Sequence, residues 1–260
     1  MLSAGHNTSE GLIRPVRRKR DPVIGHCAIM VMVKTHLDDF VRMGDPSLDS
    51  PFDMGFFKLY RIEGHQGTAF SVSGPFLGAP QAVMGMEKLV ALGASKIWVF
   101  GWCGSLQPDL KIGDFVIPIS AVSEEGTSQH YPIEGRPPIT DSTLSHELES
   151  ALTARGHCTR PGIVWTTDAP YRETPEKIRA FQQKGILAVD MEISALMTLA
   201  LFRLARLAAL FVVSDELYDL KWQPGFSRPL LKKRTRFAAK LLLDLVGTKR
   251  GLISGNVEKG

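Results

Sequence analysis

The sequence predicts one α/β domain with a mostly parallel, mixed β-sheet. From Gly25 onwards, short β-prone apolar runs alternate with helical stretches, the pattern of strands connected through helices. An early pair of apolar runs flanks a glycine-rich turn, which adds a hairpin and its antiparallel pairing to the sheet. Size and composition agree. A chain of 260 residues buries around three-quarters of the surface its unfolded form exposes, so it needs no disulfide or metal staple. With 44% hydrophobic and 22% charged residues it has an ordinary globular composition, which excludes collagen, coiled-coil and disulfide-framework classes.

The elements follow in order. Residues 26–33 (HCAIMVMV) read as a buried strand. Residues 56–62 and 68–73 form the hairpin around Glu63-Gly64-His65-Gln66-Gly67, and residues 74–80 (GPFLGAP) are a loop. A helix covers 81–92, with Pro80 in its first turn and Gly93 ending it. Residues 96–100 (KIWVF) are a buried strand, and Gly101-Trp102-Cys103-Gly104-Ser105 is expected to be a loop at its carboxyl end. Strands at 114–119 and 163–167 bracket a helix at 144–155. Then come a helix at 175–184, a short strand at 187–189, a long apolar helix at 192–204 and a last buried strand at 207–213. The chain closes with a helix whose wet face carries Lys232, Lys233, Arg234, Arg236 and Lys240. No internal repeat or linker occurs after about residue 22, so the expected layout is a basic, mobile arm (1–22) and one domain (23–260).

Charge and cysteines narrow the setting. The net charge of +4 includes a cluster of Arg14, Arg17, Arg18, Lys19 and Arg20. No aromatic residue interleaves it and no helix-turn-helix or zinc pattern follows, so a solvated arm is expected and not a nucleic-acid contact. Cys27, Cys103 and Cys158 are far apart and lack metal-ligand spacing, which predicts reduced thiols, a cytoplasmic location and no metal. The N-terminus has no apolar core of a signal peptide. The most apolar stretch, 193–202, is closed by Arg203 and Arg206, well short of the roughly 20 residues a membrane span needs.

In open α/β sheets, ligands bind beyond the carboxyl ends of the strands. Six segments fall there: Lys34-Thr35-His36, the glycine segment from Gly74, the glycine segment from Gly101, Thr166-Thr167-Asp168, Val189-Asp190-Met191-Glu192 and Ser214-Asp215-Glu216. Neither glycine segment is a Walker A loop and no GxGxxG occurs, so nothing implies an organic cofactor.

It is the order of these pieces that is informative. GPFLGAPQAVMGMEKLVALGASKIWVFGWCGSLQPDLKIGDFVIP, then GTSQHY, TTDAPY, AVDMEISAL and FVVSDEL, resembles the purine/uridine phosphorylase superfamily over about residues 27–217. The resemblance implies a three-layer nucleoside phosphorylase-like fold with a central mixed sheet flanked by helices. It also implies cleavage of the N-ribosyl bond of a nucleoside, no metal or cofactor, and a homo-oligomer. By the same resemblance Glu192 would hold the ribose 2′- and 3′-hydroxyls, a task that suits two carboxylate oxygens. Met191 would pack under the sugar beside Asp190. Asp215, supported by Ser214, would deliver a proton to the leaving base, and Asp168 and Tyr171 would wall the base pocket. Gly74, Gly101 and Trp102 are further candidate substrate contacts.

The chain departs from that family at the phosphate ligands. Lys34-Thr35-His36-Leu37-Asp38 stands in place of a glycine-containing loop with an arginine, and Val99 and Trp102 stand in place of an arginine and a Ser or Thr. Either other residues hold phosphate, or water attacks the sugar with His36 or Asp38 as its base. A nucleoside-binding protein without catalysis is the reading of another class. The glutamine and arginine that read uracil are not evident after Tyr171, where Arg172, Glu173, Thr174 and Glu176 follow. Plainer roles compete as well: Glu192 as a favourable charge at a helix start, Asp215 as a cap or turn residue, His36 as an ordinary exposed turn histidine, Trp102 as packing.

Overall fold

The computed structural model describes residues 11–47, 50–64 and 69–247. Among these residues ten strands and six α-helices follow in the order β1 (Cys27–Val31), α1 (Lys34–Gly44), β2 (Phe52–Asp53), β3 (Lys58–Glu63), β4 (Ala69–Gly74), α2 (Ala79–Ala91), β5 (Lys96–Ser105), β6 (Phe115–Ser123), α3 (Ser142–Thr153), β7 (Thr159–Thr166), α4 (Pro175–Gln183), β8 (Ala188–Asp190), α5 (Ile193–Arg203), β9 (Arg206–Glu216), β10 (Gln223–Pro224) and α6 (Pro229–Gly247).

The strands form one mixed sheet, as expected, but part of it closes on itself. β5 pairs with β9, β9 with β6, β6 with β7, β7 with β8, and β8 returns to β5. The ring is possible because β5 is long enough to use one edge twice. Its first half, Lys96 to Phe100, pairs in parallel with β1, and Gly104 and Ser105 pair with β8 beyond the point where β1 ends. β1 leads out of the ring through β4 to the β3–β4 hairpin and β2. Its tip at residues 65–68 lies outside the described residues.

Helices flank this sheet in two groups, α2 packed on α5, and α1 with α3 on α6. Large side chains fill the interior, among them Trp98, Phe100, Phe115 and Phe211. α5 is buried from Ile193 to Ala200, which accounts for its nearly unbroken apolar sequence. α2 carries Pro80 in its first turn, and Gly93 beyond its end takes φ +111°.

The expectation of a loop at residues 101–105 is corrected. The strand runs on to Ser105, with an irregularity in its register to β9 between Cys103 and Gly104. The glycines serve close packing and not a turn. A Cβ on Gly101 would lie 3.2 Å from Met32 Cγ, and one on Gly104 would lie 3.0 Å from Leu217 Cδ1. Strands also extend past expectation at the other edges, so that Ser214, Asp215 and Glu216 belong to β9 itself. Residues 34–44, given no helix by the sequence reading, form α1. The described part of the N-terminal segment is exposed but tethered: Lys88 Nζ donates to the Val16 carbonyl at 2.8 Å and to Asp21 at 2.5 Å. Among the described residues no helix is long and apolar enough to cross a membrane.

Candidate active site

Strand register brings two of the sequence-derived segments together. Val189 of β8 lies opposite Gly104 of β5, and Gly104 lies opposite Asp215 of β9. The Asp190-Met191-Glu192 segment and the Ser214-Asp215 pair therefore flank a single glycine. A Cβ at Gly104 would intrude on both, 3.2 Å from Val189 Cγ1 and 3.1 Å from Asp215 Oδ2.

On the β8 side the chain leaves the strand at Asp190 and enters α5 after Glu192. Asp190 is buried and fully engaged. Its Oδ1 accepts from Thr166 Oγ1 at 2.6 Å, and its Oδ2 accepts from the Glu192 and Ile193 N–H groups at 2.9 and 2.7 Å. It thereby satisfies two of the orphan donors at the start of α5. Glu192, also buried, accepts the Gly78 N–H on Oε1 at 2.6 Å. Burial, and then the charge of Asp190, pushes the Glu192 carboxyl well above the usual carboxylate range. Asp190 is raised as well, chiefly by burial. Met191, between them, is half-buried.

A third carboxylate underlies α5. Glu125 is buried, and accepts from the Thr127 and Ser128 N–H groups at 2.6 and 3.0 Å and from the hydroxyls of Ser123 and Ser194 at 2.7 and 3.0 Å. Burial opposes its ionisation, but these donors prevail and its pKa falls below the ordinary value.

On the β9 side Asp215 accepts from Ser214 Oγ on Oδ1 at 2.6 Å and from Trp222 Nε1 on Oδ2 at 3.0 Å. Burial raises its pKa against the pull of both donors. Glu173 feels the charge of Asp215; burial, then Asp215, then Glu124 push it up to about 7, with Lys177 opposing. The arrangement brings together carboxyl groups whose pKa burial raises, which could give up a proton, and buried carboxyl oxygens that could accept from hydroxyls.

The other candidates are less closely placed. Asp168 is exposed, accepts the Gly126 N–H at 2.9 Å and adds its charge to the field at Glu192. Tyr171 is fully exposed in the single chain and walls nothing there. Gly74, at φ +154°, lies against β1, where a Cβ would come within 2.3 Å of the Val31 carbonyl; its lack of a side chain serves the sheet, as at Gly101.

His36 and Trp102 sit apart from the carboxylates. His36 is 2% exposed, neither ring nitrogen has a hydrogen-bond partner, and burial drives its pKa down to about 3. The structure thus places His36 in the packing between α1 and β5, edge-on to Trp102 with ring centroids 4.4 Å apart, and not at an exposed turn. Trp102 donates its indole N–H to Thr235 Oγ1 at 3.2 Å. The two rings line a cavity of about 370 Å³ with Arg42, Lys232 and Arg236, and a larger one of about 1070 Å³ lies between the N-terminal segment and α2. Neither is lined by Glu192 or Asp215.

Sequence reasoning named Gly78 and Gly104 only as parts of their glycine segments and Glu173 only as a departure, and it passed over Glu125 and Trp222. Their spacing carries no motif; all five act through partners distant in the chain or through a turn geometry that no period announces.

Comparison with known proteins bears on the chain as a whole. A family model described as "Phosphorylase superfamily" matches residues 27–246. A guanosine phosphorylase of Halorubrum lacusprofundi is 29% identical over 153 residues, 59% of this chain and 64% of that protein. A DeoD-type purine nucleoside phosphorylase of Bacillus cereus is 29% identical over 167 residues, 64% of this chain and 69% of that protein. The alignment thus spans a little under two-thirds of the first relative's length and a little over two-thirds of the second's. The crystal structure of a Toxoplasma gondii purine nucleoside phosphorylase, in complex with immucillin-H, superposes with a TM-score of 0.79 at 22% identity, covering 92% of this chain and 97% of that one.

Proposed function

This chain belongs to the phosphorylase superfamily, and on that footing we propose that it cleaves the N-ribosyl bond of a purine nucleoside with inorganic phosphate as acceptor. The observation that carries the reading is the register row Val189–Gly104–Asp215, which sets an ionisable acid across one glycine from the Asp190-Met191-Glu192 turn.

In this reading the sugar lies over Met191 and its vicinal hydroxyls donate to Glu192. Those donors favour the carboxylate form that burial disfavours, so binding and ionisation of Glu192 assist each other. Asp190 holds the turn by capping α5. As the C1′–N bond breaks, its electron pair goes to the base, Asp215 passes a proton to that base, and a phosphate oxygen bonds C1′. Asp168 stands at the outer edge of the same site. Purine is favoured over pyrimidine because the residues after Tyr171 offer no uracil-reading pair, and because the relatives above are named for guanosine and purine nucleosides.

Phosphate must be held by groups other than those at the resemblance's positions. Val99 is buried in the core, and the one donor of Trp102 is committed to Thr235. The first turn of α1 is the candidate: its N-cap, Val33, makes no side-chain bond to the first N–H groups, and Lys34, ion-paired with Asp38 at 3.2 Å, stands exposed at its start. Hydrolysis is not favoured, since the relatives above are named as phosphorylases. We place the protein in the cytoplasm, in keeping with the thiols of Cys103 and Cys158, which form no disulfide. A homo-oligomer is proposed with it, whose interface would cover the exposed Tyr171 and Leu77.

The test is product analysis with guanosine, inosine, adenosine and uridine, with and without phosphate. Free base and ribose 1-phosphate, formed with saturable dependence on phosphate and from purines first, are expected. Free ribose at a rate insensitive to phosphate would mean hydrolysis, and tight riboside binding without turnover would mean a binding protein.

A further inference from the structure

Asp215 has a donor on each oxygen, and the two differ in kind. The Ser214 hydroxyl lies 2.6 Å from Oδ1 and also reaches the Cys103 carbonyl at 3.3 Å, so it can turn from donating to the carboxylate to accepting from it. The Trp222 indole N–H, 3.0 Å from Oδ2, can only donate. While that bond stands, Oδ2 is the poorer place for a proton, because a hydroxyl oxygen of a carboxylic acid accepts more weakly than its carbonyl oxygen, so a proton on Asp215 favours Oδ1.

Backbone pairing, not burial, places Trp222, whose side chain is 62% exposed. The next residues, β10, pair antiparallel with the end of β9, Gln223 opposite Glu216 and Pro224 opposite Asp215. Gly225 N–H then donates to the Ser214 carbonyl at 2.8 Å, an approach so close that a Cβ on Gly225 would sit 2.6 Å from that oxygen. Phe226 continues the line, with ring centroids 6.2 Å from Trp222 and 5.4 Å from Trp102. An exposed indole tied to the acid's own strand gains little from apolar burial. Its hydrogen bond is what distinguishes it.

We propose that Trp222 is a positioning residue for N-ribosyl cleavage, its indole N–H biasing the transferable proton of Asp215 towards Oδ1 and holding the carboxylate that remains once the proton has gone. The proton's destination, the departing base, rests on the phosphorolysis reading above. In the step the C1′–N electron pair goes to the base, the proton moves from Oδ1 to a ring nitrogen, and a phosphate oxygen bonds C1′. The Asp215 carboxylate then accepts from both Ser214 and Trp222 until a proton from water restores it. The titratable groups that feel its charge are Glu173, from the segment before α4, and the Cys103 thiol of β5; Lys177 and Glu124 act on Glu173 in turn.

Two variants separate the donor from the ring: Trp222→Phe removes the N–H, and Trp222→His restores a ring N–H. The first measurement needs no turnover. In the ligand-free protein, the fluorescence difference between wild type and Trp222→Phe is followed against pH, with Asp215→Asn as control. A titration step lost in Asp215→Asn is expected, and a pH-independent difference overturns the proposal. The second measurement is kinetic. Without the donor the carboxylate is less stable, so the Asp215 limb of the kcat/KM profile moves up by about one pH unit. Turnover of an ordinary purine nucleoside falls about tenfold, the low end of general-acid contributions after discounting for the exposed indole. KM holds within about twofold, the signature of a transition-state effect. A 7-methylpurine riboside, whose cationic base leaves without protonation, keeps its rate, and Trp222→His recovers the loss. An unmoved pH limb, or equal losses on both substrates, overturns the proposal. If wild type turns over no nucleoside, the functional reading fails, while the fluorescence titration still decides whether Trp222 senses the protonation of Asp215.

Discussion

The Gly78 N–H donates to Glu192 Oε1 at 2.6 Å across 114 residues of sequence. Gly78 is the N-cap of α2 and Glu192 that of α5, so one hydrogen bond joins the starts of two helices packed on each other. Gly78 takes φ +79°, which only glycine adopts without strain. One lone pair of Glu192 is thus held by the protein, and the hydroxyls of a sugar would meet Oε2 or the second lone pair of Oε1.

Glu192→Gln keeps the shape and an acceptor for Gly78 but removes the charge. Hydrogen bonds to charged groups are worth roughly 1.5–3 kcal/mol, so riboside affinity should fall about 10- to 100-fold while the fold is retained. Calorimetric titration with a non-reacting riboside measures this. An unchanged Kd would remove Glu192 from the sugar site.

The same substitution should change the pH dependence of stability. In the folded protein burial and Asp190 raise Glu192 above its ordinary 4.5. Between that value and its raised one the folded state holds a proton that the unfolded state has lost. Stability therefore falls as pH rises through this window. Thermal unfolding should show Glu192→Gln level with wild type near pH 4 and more stable, by a margin that widens with pH, above it. A margin that stays flat or narrows contradicts the assignment.

Asp215→Asn should lower turnover far more than binding, by about 10²–10⁴-fold on substrates whose base needs protonation. Nucleosides with good leaving groups should lose least. Rates measured across a leaving-group series decide the matter: a slope unchanged from wild type would leave Asp215 as a wall of the pocket only.

His36→Leu should stabilise the protein, most in acid. Burial lowers the folded pKa from 6.5 to about 3, so between these values the unfolded state binds the extra proton and stability rises with pH. At pH 5 that linkage costs wild type ~2 kcal/mol, a cost the leucine does not carry. Chemical denaturation at pH 5 and pH 8 should show the variant's advantage shrinking at the higher pH, and an advantage independent of pH would count against a neutral, buried His36.

Gly104→Ala places a methyl between Val189 and Asp215 Oδ2, at 3.2 and 3.1 Å. Displacements of about 1 Å in a reacting geometry cost up to ~10²-fold in rate, so kcat should fall at least tenfold with the folded state retained by circular dichroism. Wild-type kcat would show that the row across β8, β5 and β9 does not frame the reaction.

Local chemistry in the sequence determined the order of strands and helices apart from α1 and the two-residue strands β2 and β10, the hairpin, the bounds of α2 between Pro80 and Gly93, the apolar run of α5 and the segments holding Glu192 and Asp215. Hydrophobic period and turn residues act over a few positions, so they survive without tertiary context. Local chemistry did not separate a turn glycine from a strand glycine at Gly101 and Gly104, because the difference lies in what approaches them: Met32, Leu217 and Asp215, from other parts of the chain. Nor did it announce the ring, which depends on β8 finding the free edge of β5. It left His36 open between an exposed turn and a base, and packing against Phe100 and Trp102 decided that it is buried and unpartnered. The hold of Trp222 on Asp215 and of Gly78 on Glu192 belongs to the tertiary structure for the same reason. A donor's partner is set by which backbone segments meet in space, and no period along the chain encodes that meeting.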